Sequence, residues 1–120
     1  MLNMTKNHIR EVGNMALRFP KLATLNLGYN GIVSLNMEFL PKSLTTLELQ
    51  HNNIMEIRGA KSLENLATLK LEYNNLETPD VSDVIKLPKL SSLTLAENHI
   101  DDTIVKLWNE KTKKASGITE

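Results

Sequence analysis

The sequence predicts an α/β repeat solenoid, with a short curved parallel sheet on the concave face and short helices or irregular turns on the convex face. Three observations carry this expectation. Leu22, Leu25, Leu27, Asn30 and Ile32 fill the frame L-x-x-L-x-L-x-x-N-x-L, and the frame recurs at Leu44–Ile54, Leu66–Leu76 and Leu90–Ile100 with no template position missed. Each copy alternates apolar and polar residues through its L-x-L core, the signal of a half-buried strand. The asparagines step evenly, from 7 to 30, 52, 74 and 98, and those intervals of 23, 22, 22 and 24 residues suit one strand and one return segment per repeat.

The elements follow in chain order. Leu2, Met4, Asn7 and Ile9 are the last four positions of a partial opening copy. In each strand the leucines face one way, and residues such as Thr24, Asn26 and Gly28 face the other. One repeat cannot bury its apolar face alone, so stacking must merge the leucines into one core. After each strand the chain turns and strands amide and carbonyl groups inside the stack. Asparagine carries both donors and an acceptor for them. Asn7, Asn30, Asn52, Asn74 and Asn98 are therefore expected to form a structural ladder. Val12, Leu35 and Ile57 should extend the core through the return segments, as should Phe19, Leu40, Leu63 and Leu87. Proline at 20, 41 and 88 blocks helix continuation ahead of the next strand. The best candidate for a convex helix is Asp80 to Lys86, where Val81, Val84 and Ile85 share a face.

This repeat resembles the leucine-rich repeat family over residues 2–100. The stretch Ile54 to Leu66 also looks like the 22-residue intracellular subclass, which includes phosphatase regulators, spliceosomal proteins and flagellar motor light chains. The resemblance implies a fold and a binding surface rather than a chemistry. Members of the subclass often end in a cap with a Tyr-Arg pair and a final Leu-Asp. Nothing from Asp101 to Glu120 matches that cap, so no functional residue is carried over.

The expected organisation is one repeat domain at 1–109, a capping helix near 103–113 and a flexible tail at 114–120. Asp101, Asp102 and Thr103 suit a helix start. Ile104, Leu107 and Trp108 then recur at helical spacing, which either buries Trp108 over the last repeat or presents it to a partner. At the other end the chain starts inside a repeat. A strand around Asn3 to Thr5 would have an open edge. A fragment of a longer array, pairing with a second copy, and a tolerated frayed edge all fit that start.

Composition narrows the function classes. Lys plus Arg and Asp plus Glu each number 14, so the net charge is zero and the basic footprint of a nucleic-acid binder is missing. There is no cysteine for a disulfide or a thiolate metal site. No signal peptide is visible, and no apolar run approaches the ~18 residues of a membrane span. Together these point to an intracellular protein, cytoplasmic or nuclear. No catalytic motif is present, and no cofactor or metal is expected. His8 and His99 occupy equivalent places four strands apart, roughly 19 Å, too far to share a metal. Glu72, Glu77, Asp80 and Asp83 straddle one turn and return segment; they can meet a cation or a basic partner, with a solvated face as the default reading.

The concave face is left as the informative surface. One strand column reads Asn3, Asn26, Glu48, Lys70 and Thr94; the next reads Thr5, Gly28, Gln50, Glu72 and Ala96. The column before the asparagines reads Lys6, Tyr29, His51, Tyr73 and Glu97. Its aromatic row can stack along the rim, or it can anchor a partner, as amphipathic aromatics do at interfaces. The expectation is a non-enzymatic protein-interaction module. Its contacts would be Asn26, Tyr29, Glu48, Gln50, His51, Lys70, Glu72 and Tyr73. A self-associating array joined at its N-terminal strand, or the recognition fragment of a larger regulatory protein, is the alternative.

Overall fold

The computed structural model describes residues 1–116, with side chains described through Thr112. Five short strands form one parallel sheet in sequential order: β1 (Leu2–Asn3), β2 (Thr24–Asn26), β4 (Thr46–Glu48), β6 (Thr68–Lys70) and β7 (Ser92–Thr94). Equivalent residues pair across the repeats, Leu25 with Leu47 and Leu47 with Leu69. The register is set by burial, because a one-residue slip would turn the leucines to solvent. Leu25, Leu47, Leu49, Leu69 and Leu71 are fully buried.

The asparagines knit the repeats together after each strand. Asn52 Nδ2 donates to the carbonyls of Leu49 (3.0 Å) and Leu27 (3.1 Å), while its Oδ1 accepts from Ile32 N (3.1 Å). Asn74 repeats this with Leu71, Leu49 and Ile54, and Asn98 with Leu95, Leu71 and Leu76. Asn30 bonds Leu27, Met4 and Ile9 in the same way. Asn7 bonds only carbonyls of its own repeat, Met4 and Thr5. A second ladder of backbone bonds follows one residue later, with Gly31, Asn53, Asn75 and His99 donating to Ile9, Ile32, Ile54 and Leu76.

The return side departs from the expectation at several points. A second parallel sheet pairs β3 (Ser34–Asn36) with β5 (Glu56–Arg58), joining Leu35 to Ile57. Those two aliphatics were expected in the core, but not in a strand. The predicted helix at Asp80 to Lys86 is instead two 3-10 turns, Thr78–Val81 and Val84–Lys86. Pro79 starts the first, and Pro88 closes off any extension of the second, so neither stretch has room for an α-helical ladder. Val81, Val84 and Ile85 are nevertheless buried, because 3-10 turns still direct them inward. Phe19 is a correction: it is 36% exposed rather than core, and lines an apolar hollow beside Val12 and Met15.

Among the described residues one α-helix, α1 (Asp102–Ser116), packs over the last repeat. Asp101 Oδ1 accepts from Thr103 N at its start, and Asp101 N donates to Thr78 Oγ1. The inward face carries Ile104, which is buried, and Trp108, which is half-buried against the core. Leu107 was expected on that stripe but is 48% exposed. The face drifts from Trp108 to Lys111 instead, following the i, i+4, i+7 track of a helix. Lys111 Nζ donates to the Leu87 carbonyl and lies 5.3 Å from the centre of the Trp108 ring. Burial lowers its pKa below the usual lysine value of 10.5. The helix includes 114–116 of the expected tail, and 117–120 lie outside the described residues. Among the described residues, no helix is long and apolar enough to cross a membrane.

Candidate functional site

The concave surface is built on the outward positions of the five-stranded sheet. Its most ordered feature is the aromatic row. Tyr29 and His51 stack with ring centres 4.3 Å apart and planes 11° from parallel; His51 and Tyr73 stack at 4.3 Å and 12°. The spacing is close to the sheet's own strand repeat of about 4.8 Å, so the fold itself sets up the stack. His51 sits half-buried as the middle ring, while Tyr29 and Tyr73 are 46% and 50% exposed.

The row has an unusual backbone. Lys6, Tyr29, His51, Tyr73 and Glu97 all take positive φ, 58° or 59°, and they are the only non-glycine residues among those described to do so. This left-handed turn lets the chain leave the strand while the next side chain, the ladder asparagine, points inward. The amide hydrogen of each aromatic stays on the ladder: Tyr29 N donates to Gln50 O, His51 N to Glu72 O and Tyr73 N to Ala96 O. Left-handed backbone costs a non-glycine residue roughly 1–2 kcal/mol, and histidine and asparagine tolerate it better than tyrosine. The sequence contained no hint of this strain, because no glycine marks the position.

The remaining candidate residues largely engage one another. Lys70 Nζ and Glu48 Oε1 form an ion pair at 3.6 Å. Thr94 Oγ1 donates to Glu72 Oε1 at 2.6 Å. Asn26 Oδ1 accepts from Gly28 N at 3.0 Å. Gln50 folds over Gly28, where a Cβ would lie 3.1 Å from its amide group, and Gln50 Oε1 is buried with no hydrogen-bond partner. Glycine at 28 leaves room for the neighbouring glutamine, since a Cβ there would press on its side-chain amide and its backbone carbonyl. The face is a pre-arranged polar surface around an aromatic stack, with Lys70 and the tyrosine edges its most accessible parts.

The other singled-out groups lie apart from it. His8 and His99 are exposed at opposite ends of the array. Asp80 Oδ2 accepts from Glu77 N at 2.8 Å, capping a turn, and Glu72 belongs to the concave face. Among the described residues, no three histidine or acidic side chains converge on a point suited to a metal ion. The sequence reading missed an apolar hollow at the N-terminal end, because its lining residues, Val12 and Met15 among them, also suit an ordinary core.

The comparisons agree with this architecture. The family model described as Leucine rich repeat matches residues 42–100. No curated protein matches the sequence. Among solved structures, the chain is similar to one in the crystal structure of the Drosophila melanogaster SNF/U2A' complex, with a TM-score of 0.72 and 23% identity. The match covers 92% of this chain and 64% of that one, so the chain spans less than two thirds of its structural relative. At this identity the likeness is one of fold. With the family model matching residues 42–100, the repeat frame extending N-terminally of that match to residue 2, and the stacked parallel strands joined by asparagines, residues 2–100 are built as a leucine-rich repeat array.

Proposed function

We propose that the chain is a non-enzymatic protein-interaction module that holds a protein partner across its concave face. The observation carrying this reading is the aromatic row. Three aromatic side chains are stacked in register on an exposed rim, and the outer two keep about half their surface in water. Rigid aromatics lose little side-chain freedom on binding, which favours them as anchors. Asn26, Glu48, Gln50, Lys70 and Glu72 lie beside the row and provide mixed-charge polar contacts. Burial of the Glu48–Lys70 pair beneath a partner would strengthen it or break it, depending on what it meets. The solved relative comes from a protein complex, which supports an interaction role for this fold. The absence of the basic surplus that phosphate backbones require favours protein over nucleic acid.

The test pairs affinity capture with titration calorimetry. A partner captured by the intact chain is titrated against the wild type and a Tyr29→Ala/Tyr73→Ala variant. Affinity should fall by about tenfold or more, as for anchor residues worth more than ~1 kcal/mol each. The far-ultraviolet circular dichroism should be unchanged. Equal affinity for both proteins would remove the concave face from the reading.

A further inference from the structure

The zero net charge hides a polarised array. The five residues ahead of each complete repeat's first leucine, at 17–21, 39–43, 61–65 and 85–89, hold six Lys or Arg against one acidic residue. The six that turn out of each strand, at 28–33, 50–55, 72–77 and 96–101, hold four Asp or Glu and no Lys or Arg. The edge where the chain enters the strands is therefore basic, and the edge where it leaves them is acidic.

The basic edge contains a cleft. The interval from Asn74 to Asn98 is 24 residues against 22 for the one before it. Its return segment coils into two 3-10 turns, where the neighbouring segment has one at Ala60–Ser62. Between these unequal segments lies an open cleft of about 370 Å³, whose lining carries Lys61, Lys86 and Lys89 with Glu64, Asp83 and Pro88. All three lysines are exposed, and among the described residues none is in an ion pair. Lys89 Nζ instead donates to Asn65 Oδ1 at 3.0 Å, which leaves its charge unneutralised. Asn65 Nδ2 donates in turn to Lys42 O at 3.3 Å, so this ammonium is tied to the backbone of the repeat before.

We propose that the cleft docks an acidic peptide segment of a protein partner, on a surface separate from the concave face. Three unpaired ammonium groups gathered in one concavity favour a chain of carboxylates. Glu64 and Asp83 in the same lining decide against a nucleic acid or a polyphosphate, whose unbroken negative charge would run past both. A peptide alternates. Its carboxylates meet the lysines, and its backbone N–H groups donate to Glu64 and Asp83. Pro88 and the lysine stems supply the apolar contact. The acidic edge on the other side of the strands repels the same segment, which directs it to this one.

Fluorescence anisotropy of the intact chain with a short fluorescein-labelled peptide of alternating Glu and Ser tests the proposal. At about 50 mM salt the dissociation constant should be about 100 µM or tighter, and it should rise about tenfold or more by about 500 mM. Lys61→Glu/Lys86→Glu/Lys89→Glu should weaken binding about tenfold or more by placing like charges together. Lys6→Glu/Arg10→Glu/Lys106→Glu makes the same change in net charge at exposed sites outside the cleft and should leave the affinity within about threefold. Tyr29→Ala/Tyr73→Ala should leave it unchanged, which separates this surface from the concave one. The six charged positions are exposed, so the fold should tolerate both triple swaps, with circular dichroism as the check. No binding at up to about 1 mM chain overturns the proposal. So does an equal loss from the two triple swaps, or a loss on Tyr29→Ala/Tyr73→Ala. An oligothymidylate of equal charge that binds as tightly as the peptide, and is released by the same cleft swap, overturns it in favour of nucleic acid.

Discussion

Removing one rung of the asparagine ladder should destabilise the protein by an amount set by its place in the stack. Asn52→Ala deletes three hydrogen bonds, two donated to Leu27 and Leu49 and one accepted from Ile32 N. The two carbonyls are not orphaned, because Leu27 O also accepts from Asn30 and Leu49 O from Asn74. Ile32 N is the group left without a partner, at a residue that is fully buried. An unsatisfied buried amide costs about 1–3 kcal/mol, and losing the second bond at each carbonyl adds a fraction of ~1 kcal/mol apiece. The expected loss is therefore about 2–4 kcal/mol, against a total of roughly 6–18 kcal/mol for a domain of this size. Asn7→Ala deletes only exposed bonds within one repeat and should cost no more than about 0.5 kcal/mol. Asn52→Asp keeps an acceptor for Ile32 N but points a carboxylate at two carbonyls, so near neutral pH it should be at least as damaging as Asn52→Ala. Urea unfolding followed by circular dichroism measures all three. Equal losses for Asn7→Ala and Asn52→Ala would refute the argument, since it rests on bonds that cross between repeats.

Four further outcomes follow from particular positions. Gly59 has φ +70°, and a Cβ there would lie 2.7 Å from Glu38 Cγ and 2.8 Å from Asn36 Oδ1, so Gly59→Ala should lose about 2–3 kcal/mol. Gly13 has nothing within 4 Å of the added Cβ, so Gly13→Ala should be neutral or stabilise by up to ~1 kcal/mol in the same urea experiment. In the aromatic row His51 has two ring neighbours and Tyr29 one, so His51→Ala should cost about 1–2 kcal/mol and Tyr29→Ala about half as much. His51→Gly should be milder than His51→Ala because glycine accepts the left-handed backbone; matching losses at 29 and 51 would mean that stacking does not hold the row. Lys111 has a folded pKa below its unfolded value of 10.5, so the unfolded chain binds more protons in the window beneath 10.5 and stability rises with pH there. The stability of the wild type relative to Lys111→Met should accordingly increase as pH rises toward 10.5, and a flat difference would mean that burial does not disfavour the ammonium.

Much of the fold is legible in the sequence for a simple reason. The stacking of identical units makes every template position report the same local environment several times. Leu25, Leu47 and Leu69 read as core before any coordinates, and so do the asparagines, because one turn geometry recurs with one solution. Asp101 and Thr103 announced a helix start, and Asp101 caps it. The return segments were less legible. They differ in length and composition, so nothing averages out the ambiguity between a short helix and a 3-10 turn at Asp80 to Lys86, or reveals the β3–β5 pairing at Leu35 and Ile57. The helical stripe at Ile104, Leu107 and Trp108 was misjudged by one position, because spacing alone does not say which edge of a stripe meets the core.

The concave site divides along the same line. Strand alternation alone put Asn26, Glu48, Gln50, Lys70 and Glu72 on one face. Their pairing was a matter of tertiary structure, since Glu48 meets Lys70 and Glu72 meets Thr94 only across strands 22 residues apart in the chain. The row of Tyr29, His51 and Tyr73 shows both contributions. The repeat frame determined that these residues share a column. The strand spacing brought their rings into stacking contact, and the left-handed turn shared by every repeat set the direction in which they point. The sequence by itself thus determined which residues occupy equivalent places, because periodicity is a property of the chain. Only the stacked structure decided what each place touches, because that depends on neighbours that the chain order does not specify.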